Sequence, residues 1–304
     1  SASVGGVSNT QVLGGSTLAA IDDAQINQSN AGAAADQQVS VGAASHSYSF
    51  GGVLNAALSL GAAAVAVTAD TGVISRDVTA RVRGAKVTSR GAMDVDASAT
   101  NSASNIVVSA SGAIVGVAGS AAVLVLEGNT EALVDGGSDL TVGSLNVSAD
   151  AINSLAPSAD TASGGAVGAG AGVAVGYNRS TVRAWLGAQQ GSSEARTKIT
   201  SPGAISVEAD SVTRLLGNSV SVSGGGAAMA GSVNVFIVEN VTEAGAGKLD
   251  LGTSANRAGS LTVDAYDKLI ALSNAGSAAI GNVSLGASAN VLVANNATRA
   301  MLLD

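Results

Sequence analysis

Four stretches of this chain repeat one spacing. Starting at Gly91, Gly143, Gly203 and Gly259, each has an apolar residue two positions on, Val four on and Ala six on. The sets are Met93, Val95, Ala97; Leu145, Val147, Ala149; Ile205, Val207, Ala209; and Leu261, Val263, Ala265. The same frame runs without a gap through Ala110, Ala162, Val222 and Ala278, then Val123, Val175, Val235 and Val291. It closes on Ala132, Ala184, Ala244 and Ala300, 41 positions after the opening Gly in every copy. A looser copy precedes these, with Val39, Val41 and Ala43 on the buried face and Ala80 closing it. Apolar residues every second position describe a strand with one face buried.

Between closing Ala and next opening Gly the distance varies: 11 from Ala80 to Gly91, 11 from Ala132 to Gly143, 19 from Ala184 to Gly203, 15 from Ala244 to Gly259. A block of fixed length commits every residue to a lattice of pairings, whereas a connection that tolerates insertion bulges into solvent. That is solenoid behaviour, and the Val-rich period of two, broken by Gly and Asn, makes the solenoid β rather than helical. The reading is an all-β, elongated parallel β-solenoid (β-helix) of about five repeats of 52–60 residues. It is a single segment over 1–304, with repeats near 20–80, 81–132, 133–184, 185–244 and 245–300. Ala97, Ala110 and Val123 lie 13 apart, which suggests two coils of about 26 residues per repeat and a rod on the order of 50–60 Å.

Composition removes other classes. With 46% apolar residues and only 12% charged, the chain is not of the disordered type. Two prolines, Pro157 and Pro202, exclude collagen, and three Tyr, two Phe and one Trp cannot build the girdles of an outer-membrane barrel. A net charge of −8 with so few stacking residues disfavours nucleic acid as a partner. The uncharged runs 112–126 and 219–238 are interleaved with Gly, Ser, Ala and Asn, so no transmembrane segment is expected. No Cys is present, so disulfides and thiolate metal sites are absent. Ser1 to Gly14 lacks the pattern of a signal peptide, and Ala300–Asp304 stops inside a motif, as in a piece of something longer. The small-residue stretches 112–126 and 163–175 fit a narrow solenoid interior, or else a lateral face that bundles rods.

Groups able to do chemistry are few. Asp94 and Asp96 share a face, but their counterparts Asn146/Ser148, Ser206/Glu208 and Thr262/Asp264 make it a generic solvated face. Asp22-Asp23, and Asp135 with Asp139 around Gly136-Gly137-Ser138, read as turn chemistry rather than calcium loops. Arg81, Arg83, Lys86 and Arg90 form a local basic cluster that keeps a face soluble or meets an anionic glycan. His46 is the only His, so no multi-His metal site can form. Trp185 is placed outward beside the longest insertion, as a contact anchor or as the floor under that insertion. The sequons at Asn240 and Asn296 read as turn residues of the repeat, and Gly164–Gly168 lacks the Lys of a phosphate loop. No catalytic, cofactor-binding or metal-ligating residue is assigned, and no cofactor is expected.

Asn129-Thr130-Glu131-Ala132-Leu133-Val134-Asp135-Gly136, leading into Leu140-Thr141-Val142-Gly143-Ser144-Leu145-Asn146-Val147-Ser148-Ala149, carries a family likeness, echoed at Asn240–Ala244 and Asn296–Ala300. It resembles the repeats of leukotoxin-type filamentous adhesins, large secreted β-strand-repeat surface proteins of Gram-negative bacteria, from about Ala20 onward. The resemblance implies export to the cell surface and adhesion, and brings no catalytic residues with it. The expected function is that of a non-enzymatic structural and adhesive segment, secreted or at the cell surface. Its connections at 187–202 and 247–258 are the expected contact loops. Expected partners are other copies of itself, or host or neighbour-cell surface glycans or proteins. The rival readings are a self-assembling extracellular filament subunit and a polysaccharide-active β-helix enzyme built on Asp94 and Asp96.

Overall fold

A computed structural model describes residues 2–34, 36–189, 192–253 and 256–303. In chain order the strands begin with β1 (Ala2–Asp22), β2 (Gln25–Ile26), β3 (Val39–Leu58), β4 (Ala63–Arg83) and β5 (Lys86–Thr88). They continue with β6 (Ala92–Gly112), β7 (Val115–Asp135), β8 (Asp139–Thr141), β9 (Ser144–Gly164), β10 (Val167–Leu186) and β11 (Thr197–Thr200). The last are β12 (Ala204–Gly224), β13 (Ala227–Gly247), β14 (Leu249–Leu251), β15 (Ser260–Ile280) and β16 (Val283–Leu303). They stack into three parallel sheets: a front sheet β1-β4-β7-β10-β13-β16, a back sheet β3-β6-β9-β12-β15 and a short side sheet β2-β5-β8-β11-β14. The chain is a parallel β-solenoid.

One coil, not two, makes a repeat. Ala63 pairs with Val115 and Val115 with Val167, so like positions on neighbouring rungs are 52 residues apart, rising to 60 at Val167–Ala227 and 61 at Ala2–Ala63. Each coil uses two strands of 20 or 21 residues and one of two to four. Six front strands therefore rise only ~24 Å along the solenoid axis, while each strand runs ~70 Å across it. The 13-residue spacing misled because Ala110 and Val123 do not lie beneath Ala97 at all. Ala97 faces inward on β6, Ala110 faces outward on the same strand, and Val123 faces outward on β7. The chain also holds half a coil more than the repeats show, since all of β1 pairs with β4 and Ala19 extends the closing column Ala80, Ala132, Ala184, Ala244, Ala300.

From opening Gly to closing Ala, the chain lays a back strand, turns a tight corner and lays most of a front strand. A corner as short as 113–114 makes the two long sheets face each other with opposite strand directions. Opening Gly143 and Gly203 donate backbone hydrogen bonds to Gly91 and Gly143 at 2.8 and 2.9 Å. A Cβ on Gly203 would collide with the carbonyl oxygen of Gly143, so the rungs stack too closely there for a side chain.

Interior side chains shrink along each coil as the sheets converge. Where the side sheet props the long sheets apart, Met93, Leu140, Leu145, Ile199 and Ile205 are fully buried in one apolar cluster. Midway the filling becomes mixed, with Leu124, Leu126, Leu155, Leu215 and Phe236 beside polar ladders. Asn101 donates to Asn153 at 3.1 Å, Asn178 to Asn240 at 2.7 Å and Thr161 to Ser221 at 2.8 Å. Near the tight corner only small side chains fit, Ala57, Ala64, Ala66, Ser111, Ser163 and Ser223 among them, with glycines such as Gly116 and Gly168. Small residues thus do fill a narrow interior.

Candidate functional site

Length variation is confined to one edge of the solenoid. The corner joining back to front strands is two to four residues in every coil, whereas the connections flanking the side sheet expand at 27–38, 187–196 and 252–259. Of the expected contact loops, Thr197–Thr200 and Leu249–Leu251 are strands of the side sheet, and residues 190, 191, 254 and 255 lie outside the described residues. The described residues of the first of these, 187–189 and 192–196, fold back over the front sheet. Arg83 Nη2 meets Glu194 Oε1 at 2.6 Å, Arg196 Nε meets Asp250 Oδ1 at 2.7 Å, and the Lys248 ammonium donates to the Ser192 carbonyl. Trp185 is therefore only 4% exposed, its ring seated over Gly245, where a side chain would collide with it. It floors the insertion rather than anchoring a partner.

The other two insertions flank a groove of about 430 Å³ on the side-sheet edge. Arg90 and Arg257 line it with Asn30, Ser89, Thr141 and Thr200. Thr88, Thr141 and Thr200 share one register position on three rungs, so their hydroxyls repeat at the ~4.8 Å rung spacing. Local hydrogen bonds fix the rim: Ser89 Oγ donates to the Gln37 carbonyl at 3.0 Å, and Arg90 Nη1 to the Ala33 carbonyl at 3.0 Å. Two guanidinium groups beside a line of hydroxyls suit a chain of hydroxylated, acidic units.

The basic cluster of the sequence is dispersed by the fold. Arg81 makes a two-pronged pair with Asp22, at 3.0 and 2.5 Å, and its hydrogen bond holds the Asp22 carboxyl below its usual range. Arg83 is taken by Glu194, Lys86 stands exposed on the side sheet, and Arg90 alone reaches the groove. Its companion Arg257 escaped sequence reasoning because only the stacking of coils brings the two to one groove.

Asp94 and Asp96 lie on the outer face of the back sheet. Asp96 Oδ1 accepts from Ser148 Oγ at 2.5 Å and from Asn146 Nδ2 at 3.3 Å on the next rung. Asp150, Glu208, Asp210 and Asp264 continue an acidic strip across the following rungs. Burial, then the neighbouring Asp96, pushes the Asp94 carboxyl up; burial, then Asp210, does the same to Asp150. No group of three or more His, Cys, Asp or Glu among the described residues is placed to hold a metal ion. Asp135 serves a turn: Ser138 Oγ donates to its carbonyl at 2.7 Å, and Gly136 and Gly137 take positive φ of 65° and 73°. His46 is exposed on β3.

The sequons are not turns. Asn240 is buried on β13 and donates to Thr213 Oγ1 at 2.9 Å, while Asn296 on β16 donates to Asp267 Oδ2 at 2.7 Å. Both belong to inward columns, where an amide replaces the missing apolar bulk with a hydrogen bond. Among the described residues no helix is long and apolar enough to cross a membrane. Compared with known proteins, the chain matches no family model, no curated sequence and no solved structure.

Proposed function

We propose that this chain is a structural and adhesive segment of a secreted bacterial surface protein, binding acidic surface glycans along its side-sheet edge. The observation that carries the reading is the gathering of every long insertion onto that edge, where two of them frame the groove holding Arg90 and Arg257. A stack of near-identical rungs is a rigid support, and an edge repeated rung after rung favours many weak contacts over one strong one. The likeness to filamentous adhesin repeats points the same way.

The test is binding of the purified chain to an array of sulfated, sialylated and neutral glycans. Binding is expected to acidic members, to weaken as salt rises, and to fall at least fivefold in Arg90→Ala and in Arg257→Ala with the circular dichroism unchanged. Absence of glycan binding, or binding indifferent to both substitutions, refutes the reading.

A further inference from the structure

The outer face of the front sheet is divided in two. Its first six outward columns, counted from the tight corner, carry no charged residue on any of the six strands. On β7 they read Val115, Val117, Gly119, Ala121, Val123, Val125, and on β13 Ala227, Met229, Gly231, Val233, Val235, Ile237. Ser8, Thr10, Thr71 and Tyr177 are the only polar side chains among them. Beyond the sixth column the character changes abruptly, with Glu127, Arg179 and Glu239 in the seventh. Composition did not force this, because the matching corner half of the back sheet carries Asp160 and Arg214 on its outer face, with Ser158, Asn218 and Asn274 between them. Val67, Met229 and Leu285 of the apolar half are 53%, 58% and 65% exposed.

We propose that a second copy of this chain covers that half, front sheet to front sheet. Eleven residues along the strands by six strands makes ~800 Å², larger than the 300–600 Å² patches usual on a monomer and equal to one side of a standard stable interface. The relief suits a sheet: the small column Gly119, Ala171, Gly231, Ala287, widened by Ala169 of the next column, forms a furrow of about 340 Å³ walled by Val117, Met229 and Leu285. A ridge from a facing sheet fills such a furrow, and sheets stack in this way at ~10 Å. The insertion's residues 192–196 select the symmetry, for they stand over the charged half at the far end of the strands. A two-fold axis along the strands would drive the two insertions into each other. An axis parallel to the solenoid axis reverses strand direction between copies, superposes the apolar halves and leaves both insertions outside. It also sends the two side-sheet edges to opposite ends of the dimer, free for contact. The inference does not depend on glycan binding.

Sedimentation and light scattering at micromolar concentration are expected to give twice the chain mass. Val67→Lys with Met229→Lys, both at exposed positions, is expected to give the single mass with unchanged circular dichroism. Because the chain has no native Cys, Ala121→Cys near the centre of the apolar half is expected to yield a covalent dimer with a short bis-maleimide, and Thr181→Cys in the charged half is not. A monomeric native chain, a dimer indifferent to the lysines, or equal cross-linking at Thr181 overturns the proposal. So does a monomer that co-sediments with phosphatidylcholine vesicles, which assigns the face to lipid. In each case the glycan array still reports independently on the side-sheet edge.

Discussion

At the scale of single residues, the interior is regulated by volume and by unpaid solvation. Phe236 fits a narrow layer only because Gly176 and Gly217 flank its ring, each with a would-be Cβ at 2.5 Å from it. Gly176 and Phe236 share one position of the repeat, but Gly217 lies on the back sheet, so only the folded chain brings the three together. Asp70 is the starkest polar case. It is 1% exposed, Oδ1 accepts from Asn9 at 2.9 Å, Oδ2 has no hydrogen-bond partner, and burial pushes its carboxyl up against the smaller opposing pull of Asn9 and the Thr71 backbone. Asp94, Asp135, Asp150 and Asp210 are raised too, each chiefly by burial, while exposed Asp22 is lowered by its hydrogen bond from Arg81. A raised carboxyl binds its proton more tightly in the folded chain. Its contribution is therefore complete below the unfolded value of 3.8 and is lost as pH climbs through the folded value. Five raised groups outweigh the single lowered one, so denaturant midpoints are expected to fall from about pH 4 toward neutrality. Asp70→Asn is expected to flatten that slope; an unaltered slope would show that Asp70 is solvated.

At the scale of elements, parallel in-register stacking puts each side chain ~4.8 Å from its equivalent, so a column of like charges repels itself. The charged half of the front sheet alternates instead: Glu131, Arg183, Glu243, Arg299 occupy one column of β7, β10, β13 and β16. Arg183 lies 2.9 Å from Glu243 and 3.8 Å from Glu131, and Arg299 is 3.5 Å from Glu243. Arg183, Arg299 and Glu131 are partly exposed, so pairing at them adds little, while Glu243 is buried between the two arginines, and the alternation penalises a slipped register. Arg183→Glu aligns three carboxylates and is expected to cost about 1 kcal/mol in thermal unfolding at low salt. The loss should shrink in 1 M salt, where the Debye length is about 3 Å. A loss independent of salt would assign Arg183 a packing role. This column was in view in the sequence, yet its sign pattern meant nothing until equivalent residues were known to be direct neighbours.

At the scale of the molecule, each coil touches only the coils beside it, so stability is a sum over rungs and their interfaces. Deleting 92–143 joins Gly91 to Ser144 and removes one whole coil, because Ala92 and Ser144 occupy the same register position. The shortened chain is expected to keep its circular dichroism per residue and to unfold cooperatively, whereas deleting 92–117 breaks the lattice. Loss of structure in the first variant would mean that a coil carries contacts beyond its neighbours. The strands, their parallel stacking, the fixed block and the edge that accepts insertions are written locally along the chain, because burial with a period of two and a constant frame need no distant contact to be read. How many coils one repeat makes, which valines face water, what Trp185 covers and that Arg90 shares a groove with Arg257 were decided only by tertiary structure. A column of valines reads alike whether it lines the inside or the outside of a sheet, and only the position of the corner between the two long strands says which.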